Sequence, residues 1–331
     1  MSYASVYDRP MDAIAGLLDG PRAREAFLLR SSLEPPWSLR IQDEAPLTVL
    51  AMVRGDAWVV PEDGEPVALA AGDVAVFRGP DPYTVADDPA TPPLIAIDPG
   101  QVCRSIAPGA EKLLESFSLG VRSWGNSPDG ATVMLTGTYS LDGEVSARLL
   151  RALPALLVLR DGEWDCPVVP LLADEIVKDE PGQEAVLDRL LDLLLIAVLR
   201  AWFARPDTGS PDWYRAYGDP VVGHALRLLH HNPAHPWTVA ELAHETGASR
   251  AALARRFTEL VGEPPMAFLA GWRIALAADL LLEPGATIGS VADRVGYGSP
   301  FALSTAFKRL RGVSPREHRA ASPNNHAVAA Q

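Results

Sequence analysis

The stretch from Trp237 to Phe257 decides how the C-terminal part of the chain folds; it reads WTVAELAHETGASRAALARRF. Apolar residues recur at helical spacing on both sides of a break at Gly247-Ala248-Ser249. Gly247 suits the left-handed conformation that ends a first helix, and Ser249 suits the N-cap of a second. Because the apolar positions of the two helices face each other, the stretch predicts a helix-turn-helix. An ordinary helical hairpin in a core would give the same pattern. The apolar positions are Val239, Leu242, Ala243, Leu253 and Phe257.

A second copy of the pattern favours the helix-turn-helix over the ordinary hairpin. It follows the first copy at offsets of 49 or 50 residues. Its members are Val291-Ala292, Gly296, Ser299, Leu303 and Phe307. Between the copies, a helical pattern runs from about Pro265 to Leu282, and proline suits the first turn of a helix. The sequence therefore predicts two helix-turn-helix units held apart by one helix.

Residues 219–320 resemble the DNA-binding domain of AraC/XylS-type transcription regulators. The resemblance implies two recognition helices that enter successive major grooves of double-stranded DNA, and it makes RNA polymerase a further candidate partner. The residues that carry it are Trp237-Thr238-Val239, Leu242-Ala243, Gly247-x-Ser249, Arg255-Arg256-Phe257, Gly262-x-Pro264-Pro265, Trp272-Arg273, Ala278-x-x-Leu281-Leu282, Val291-Ala292-x-x-Val295-Gly296-Tyr297, Phe307-Lys308 and Gly312-Val313-Ser314-Pro315.

The resemblance also implies which side chains contact DNA. The base-facing positions are Ala251, Ala254 and Arg255 in the first unit, and Phe301, Ala302 and Thr305 in the second. Of these, only Arg255 can make a bidentate contact, most naturally with guanine. We assign the remaining contacts, mainly to phosphates, to Ser249, Arg250, Arg256, Ser299, Lys308 and Arg309. Thr305 stands where the family commonly has an arginine, so we expect the first unit to carry most of the sequence discrimination and the second mainly to hold the backbone.

The net charge of −13 would by itself argue against a nucleic-acid partner. From Asp219 onward, however, there are 11 Lys and Arg against 9 Asp and Glu, a balance of +2. The residues before Asp219 have 18 against 33, a balance of −15. The sequence thus joins an acidic regulatory half to a mildly basic DNA-reading half, for which we expect moderate, salt-dependent non-specific affinity.

Residues 37–100 alternate short apolar stretches with turn residues, which predicts a small β-barrel or jelly roll. Two segments, Val53-x-Gly55-x-Ala57-Trp58 and Leu69-x-Ala71-Gly72-Asp73-x-x-x-Phe77, resemble the cupin barrel that AraC-type regulators carry at their N-termini. The resemblance implies a small-molecule effector inside the barrel. Candidate ligand-binding residues are Trp37, Arg40, Met52, Trp58, Phe77 and Tyr83, with Arg40 available for a carboxylate or phosphate. Alternatively, the aromatic and Met residues are barrel core.

A cupin metalloenzyme is the competing class of protein. Such enzymes usually hold their metal through two or three histidines, yet residues 1–223 contain none, and Tyr83 stands where the second cupin motif often has one. Asp56, Glu62 or Asp73 could bind a hard ion, but their turn positions explain them better. We expect no catalytic activity, no metal and no cofactor.

Cys103 and Cys166 raise a second sensing hypothesis, in which the regulator responds to oxidation. Arg104 next to Cys103 would favour the reactive thiolate. The alternative is two unconnected cysteines, at least one of them buried. Their number and spacing fit a reducing cytoplasm. No segment has the pattern of a signal peptide, and the most apolar run, Leu190 to Phe203, is too short to cross a membrane.

The predicted fold class is α+β, with a cupin-like barrel followed by an all-α domain. Leucines at 149, 150, 153, 156 and 157 begin a helical spacing, and Gln183 to Phe203 predicts a long helix that either lies against the barrel or forms a homodimer interface. The expected domains are 1–140 for the sensor barrel, 141–205 for a helical dimerisation region, 206–218 for a linker, 219–320 for the double helix-turn-helix, and 321–331 for a disordered tail. The leading hypothesis is a dimeric transcription regulator controlled by a small molecule.

Overall fold

The computed structural model describes residues 27–106, 117–139, 143–164, 166–205 and 212–321. By their contacts these residues divide into two units. The β unit comprises the described residues up to 139 together with those from 149 to 205, and the helical unit comprises 143–148 and 212–321. Of the expected linker at 206–218, residues 206–211 lie outside the described residues, and Asp212–Tyr217 form a helix. The expected tail beyond residue 321 also lies outside the described residues.

The β unit is built from short strands, as the turn-rich sequence predicts. Its strands are β1 Phe27–Leu33, β2 Ser38–Ile41, β3 Leu47–Arg54, β4 Ala57–Pro61, β5 Val67–Leu69, β6 Val74–Arg78, β7 Tyr83–Ala86, β8 Ile95–Asp98, β9 Val102–Ser105, β10 Ser118–Gly120, β11 Ser123–Trp124, β12 Thr132–Tyr139 and β13 Leu156–Leu159.

The strands form two sheets that share one apolar core. The first has the order β10-β11-β1-β12-β3-β6-β13 and the second β5-β4-β7-β2-β8-β9. Neighbours are antiparallel except β1 with β11 and β2 with β8. Leu50 and Met134 of the first sheet are buried with Leu39, Val59 and Val85 of the second. This two-sheet barrel, followed by helices, confirms the predicted α+β class.

The segment from 141 to 205 is not a purely helical region. It holds α1 Glu144–Arg151, α2 Val168–Ile176 and α3 Gln183–Phe203, but β13 lies between α1 and α2. The expected helical spacing of Leu156 and Leu157 is therefore wrong. These residues pair with Phe77 and Val76 of β6, so the sheet rather than the local periodicity decides their conformation.

One face of α3 packs within the β unit. Tyr139 of β12 donates a hydrogen bond to the carbonyl of Leu191 (2.9 Å), and Leu195 and Val198 are fully buried. The opposite face leaves Val186 and Leu193 exposed. No helix of the described residues is long and apolar enough to cross a membrane.

The helical unit contains the two predicted helix-turn-helix units. Its helices, besides the start of α1, are α4 Asp212–Tyr217, α5 Val222–His231, α6 Val239–Glu245, α7 Arg250–Val261, α8 Pro265–Leu280, α9 Ile288–Val295, α10 Pro300–Arg311 and α11 Pro315–Ala321. Ser249 accepts from the N–H of Ala252 (3.2 Å) and Ser299 from that of Ala302 (3.1 Å), which confirms both predicted N-caps.

Helix α8 is the spacer between the two units, because each half of it completes a different core. Phe268 and Leu269 are buried with α6 and α7 of the first unit. Ile274, Ala277 and Ala278 are buried with α9 and α10 of the second.

The turns of the two units differ in the space around their glycines. Both glycines have left-handed backbones, with φ of 65° at Gly247 and 81° at Gly296. A Cβ at Gly247 would meet nothing within 4 Å, whereas one at Gly296 would lie 2.4 Å from the carbonyl oxygen of Ala234. Only at the second turn does the glycine therefore pack closely against the backbone of another segment.

We predict that Gly296→Ala lowers the thermal midpoint of unfolding clearly more than Gly247→Ala. Gly247→Ala should cost only the left-handed backbone penalty of about 1–2 kcal/mol, while Gly296→Ala must also displace the backbone at Ala234. Equal losses in the two variants, measured by calorimetry on the full chain, would contradict this account of the second turn.

Candidate functional site

The first recognition helix, α7, presents the predicted DNA-contacting side chains on its exposed face. Arg250, Ala251 and Arg255 are exposed and Ala254 is partly buried. Leu253 and Phe257, on the opposite face, are fully buried in the first core. A helix held by one face, with its N-terminal half free on the other, can enter a major groove.

Arg255 has only a weak internal partner. Its Nη1 lies 3.1 Å from Oε1 of Glu259, one turn further along α7, and both side chains are more than half exposed. Such a surface pair contributes about 0.3–0.5 kcal/mol, so its loss does little to oppose a contact with a base.

Arg256, a predicted phosphate contact, has a partner within the helical unit. Its Nε donates to Asp219 at 2.7 Å. The other oxygen of Asp219 accepts from the backbone N–H groups of Val221 and Val222 at the start of α5 (3.0 and 2.9 Å). Burial alone would raise the pKa of Asp219, but these hydrogen bonds and Arg256 hold it below its usual value. Arg256 thus joins α7 to the start of α5, and a contact with a phosphate would have to compete with this ion pair.

The second recognition helix, α10, exposes the predicted residues Phe301, Ala302 and Thr305. Phe301 is 81% exposed, more than any other large apolar side chain of the described residues. Lys308 and Arg309 are exposed on the same helix, one and two residues after the buried Phe307. The second unit thus offers an apolar contact near its N-terminus and cations near its C-terminus.

The Trp272-Arg273 motif has a structural role. Trp272 is buried, with the ring of His230 edge-on at 4.5 Å. Burial lowers the pKa of His230 to about 3, so this imidazole is neutral. Arg273 donates to the carbonyls of Pro233 and His235 (2.6 and 2.7 Å), which ties the spacer helix to the loop before α6.

The β unit contains a mainly apolar cavity between the two sheets. Of the six candidate ligand-binding residues, the structure places Tyr83 on its wall. The wall also includes Asp43, Gln101, Cys103 and Trp124. Of these four residues, only Cys103 was a candidate from the sequence. A turn at Asp43-Glu44-Ala45-Pro46 was the available signal, but it does not reveal which side chain points inward.

The other five ligand-binding candidates do not line this cavity. Trp37, Met52 and Phe77 are buried in the shared core, where Phe77 stacks on the wall residue Tyr83 with ring centroids 3.8 Å apart. Trp58 alternates with the fully buried Ala57 and Val59, so it faces outward. Arg40 pairs with Glu62 at 2.9 Å instead of pointing inward.

Cys103 does not have the environment that the redox hypothesis requires. Arg104 pairs with Asp98 (3.0 Å), and burial raises the pKa of the Cys103 thiol, which disfavours the thiolate.

Two of the acidic residues considered as ligands for a hard ion, Asp73 and Glu62, form ion pairs with arginines instead. Asp73 accepts from Arg160 (2.7 Å) and from the backbone N–H groups of Ala70 and Asp161. Glu62 pairs with Arg40. The part of the chain that the structure describes has no group of three or more His, Cys, Asp or Glu side chains that could hold a metal ion.

The two N-capped recognition helices each have an exposed face, and both units pack on the same spacer helix. This arrangement is that of a double helix-turn-helix protein. Comparison with known families agrees: a cupin family model matches residues 12–204, and a helix-turn-helix domain model matches residues 242–321.

Several known proteins are similar to all or part of this chain. An AraC-like transcription regulator of Streptomyces lividans is 32% identical over 86% of this chain and 90% of its own length. The regulator AlkR of Acinetobacter baylyi is 28% identical over 93% of this chain and 99% of its own. The solved DNA-binding domain of AdpA, in complex with a target DNA, is 33% identical, covering 33% of this chain and 97% of its own, with a TM-score of 0.31.

The chain therefore belongs to the AraC family of DNA-binding helix-turn-helix transcription regulators and carries an N-terminal cupin domain. Its relatives are transcription regulators and not enzymes, which decides against the cupin metalloenzyme.

We predict that Arg256→Ala lowers the thermal stability of the protein by a few degrees, because Asp219 loses a charged partner worth about 1 kcal/mol or more. Arg250→Ala is the matched control: it removes an exposed cation of the same helix and should leave the unfolding midpoint unchanged. If Arg256→Ala keeps the wild-type midpoint and instead reduces the salt dependence of DNA binding, Arg256 is a phosphate contact after all.

Proposed function

We propose that this regulator reads a specific operator mainly through α7, holds the DNA backbone mainly through α10, and is controlled by a small molecule bound in its cupin barrel. The observation that carries the DNA-reading part is the exposed face of both recognition helices, packed on the single spacer helix α8. RNA polymerase is a candidate partner of the DNA-bound protein.

In the first unit, Arg255 is the proposed specificity determinant. Its guanidinium is 72% exposed and can reach the O6 and N7 atoms of a guanine in a bidentate contact. Ala251 and Ala254, near the N-terminal end of the same face, are small enough to lie against thymine methyl groups.

In the second unit, Phe301 is the proposed apolar reader. A phenyl ring in the first turn of α10, almost free of protein contacts, is suited to a thymine methyl group. Lys308 and Arg309 hold phosphates, and Thr305 can donate only a single hydrogen bond. Most discrimination therefore falls to the first unit.

We predict that Arg255→Ala relaxes specificity at one base pair and weakens binding of the preferred sequence by about 1–3 kcal/mol. The measurement is sequencing of DNA fragments selected by the purified full chain, for the wild type and the variant in parallel. Arg250→Ala serves as the control and should weaken binding equally across sequences. If Arg255→Ala also weakens all sequences equally, the proposed contact with a base is excluded.

The effector part of the proposal is supported by the cavity between the two sheets. Apolar side chains from both sheets line it together with hydroxyl, amide and carboxyl groups, and such a mixture is usual in small-molecule sites. The residues proposed to contact the effector are therefore those of the cavity wall, of which the sequence named Tyr83.

We also propose that the chain forms a homodimer through the outer face of α3. Val186, Leu190 and Leu193 recur at spacings of four and three residues, so they share one side of the helix. Val186 is 45% and Leu193 48% exposed. A two-fold symmetric pair of helices would bury this face of both copies against each other.

We predict that Leu193→Glu converts the dimer to a monomer, because it places a charge in the proposed contact. The measurement is molar mass by light scattering across a concentration series. Val102→Glu, at an equally exposed apolar residue of β9, is the control that should leave the mass unchanged. A wild-type mass equal to one chain at micromolar concentration would refute the proposed dimer.

A further inference from the structure

Among the described residues that line the barrel cavity, Asp43 is the only one with a carboxyl group. The other residues that line the cavity are aliphatic, aromatic, hydroxyl-bearing, amide or thiol residues. Among the described residues, no Lys, Arg or His lines this cavity. The charge of Asp43 therefore meets no cation on the cavity wall.

Neutral donors hold the Asp43 carboxylate in place and leave part of it free. Oδ1 accepts from the backbone N–H of Ala45 (3.2 Å), and Oδ2 accepts from Nε2 of Gln101 (2.8 Å). An ionised carboxylate offers about four acceptor sites, so these two bonds fix its orientation and leave capacity for a donor in the cavity.

Gln101 supplies its amide from a backbone conformation that glutamine rarely adopts. Its φ is 62°, in the left-handed region where glycine is the usual residue, and it follows Gly100 in the turn between β8 and β9. Strained backbone positions of this kind persist where the surrounding structure holds them, often at functional sites, and here the amide of Gln101 contacts Asp43.

The remainder of the cavity suits a hydrocarbon chain. Leu39, Ile41, Val85 and Ile97 of the second sheet face Leu29, Leu50 and Met134 of the first. Burial and the nearby Asp43 raise the pKa of Tyr83, so its phenol stays neutral and adds no second charge. Together with its opening to solvent, the cavity comprises about 610 Å³.

We propose that the effector is a cationic amphiphile: an apolar body with one protonated amine that binds Asp43. The inference rests on the proposed function of the barrel as an effector site. A protonated amine supplies a positive charge that no described residue of the wall provides, and apolar surroundings strengthen such a contact. An anionic ligand would be repelled by Asp43, and a neutral one would leave its charge without a counter-ion.

The test uses three probes of equal chain length, hexylamine, 1-hexanol and hexanoate, titrated by calorimetry into the full-length protein at neutral pH. We expect hexylamine to bind the most tightly and hexanoate not to bind. Asp43→Asn, which keeps the shape and removes the charge, should weaken hexylamine about tenfold or more and leave 1-hexanol unchanged. Glu65→Gln removes an exposed negative charge of the same unit and should change neither.

A second variant separates folding from binding. Gln101→Gly relieves the left-handed backbone and deletes the amide, so it should keep the thermal midpoint while weakening hexylamine. If 1-hexanol or hexanoate binds more tightly than hexylamine, or Asp43→Asn leaves hexylamine unaffected, the amine inference fails and the barrel remains an effector site. If none of the probes binds, the inference fails as well; the DNA-reading part of the proposed function has its own test in the selected DNA sequences.

Discussion

The packing of two cores onto one spacer helix is the constraint on which the DNA-reading unit depends. Phe268 and Leu269 close the first core, and Ile274, Ala277 and Ala278 close the second, all from α8. Neither helix-turn-helix could bury its apolar face alone, because each is only two short helices. Since one continuous helix completes both, the two recognition helices cannot change their separation without unpacking a core. A fixed separation is what lets two short helices address successive grooves of one duplex.

The same constraint leaves the two units free to differ on their outer faces. Several of their buried positions hold the same residue, Leu253 with Leu303 and Phe257 with Phe307. The exposed positions carry no such requirement, and Arg255 stands in the first unit where Thr305 stands in the second. Two linked helix-turn-helix units that keep similar buried residues but differ at their exposed positions can contact different bases.

The sequence predicted the helical unit well because its signals are local. Caps, left-handed glycines and helical periodicity are each set within a few residues, so Ser249, Ser299 and both turns could be placed before the structure. The barrel depends on strand register, which links residues far apart. Which of Trp58 and Val59 faces inward follows from their pairing with β7, and Leu156 joins a strand only because β6 lies beside it. Asp43 and Gln101 are 58 residues apart in the chain, and no sequence pattern connects them. The pairing of Arg256 with Asp219 is a different case. Asp219 is recognisable in the sequence as a helix-start residue, but the sequence does not show that it competes with DNA for Arg256.

The charges of the helical unit bear on the proposed dimer. A balance of +2 is small for a protein that binds a polyanion. Ion pairs within the unit reduce the field further, since Arg256 is held by Asp219 and Arg294 by Glu283. Few cations remain available for phosphates, chiefly Arg250, Lys308 and Arg309. Each phosphate contact adds to the affinity by releasing about one counter-ion, so we expect these contacts to be too few for tight binding by one chain. Two chains joined through α3 would double these contacts and make the second binding event intramolecular, which raises the apparent affinity without any new contact. A weakly charged DNA-binding protein of this kind would gain affinity from the proposed pairing of chains, and specificity from short-range contacts such as those proposed for Arg255 and Phe301.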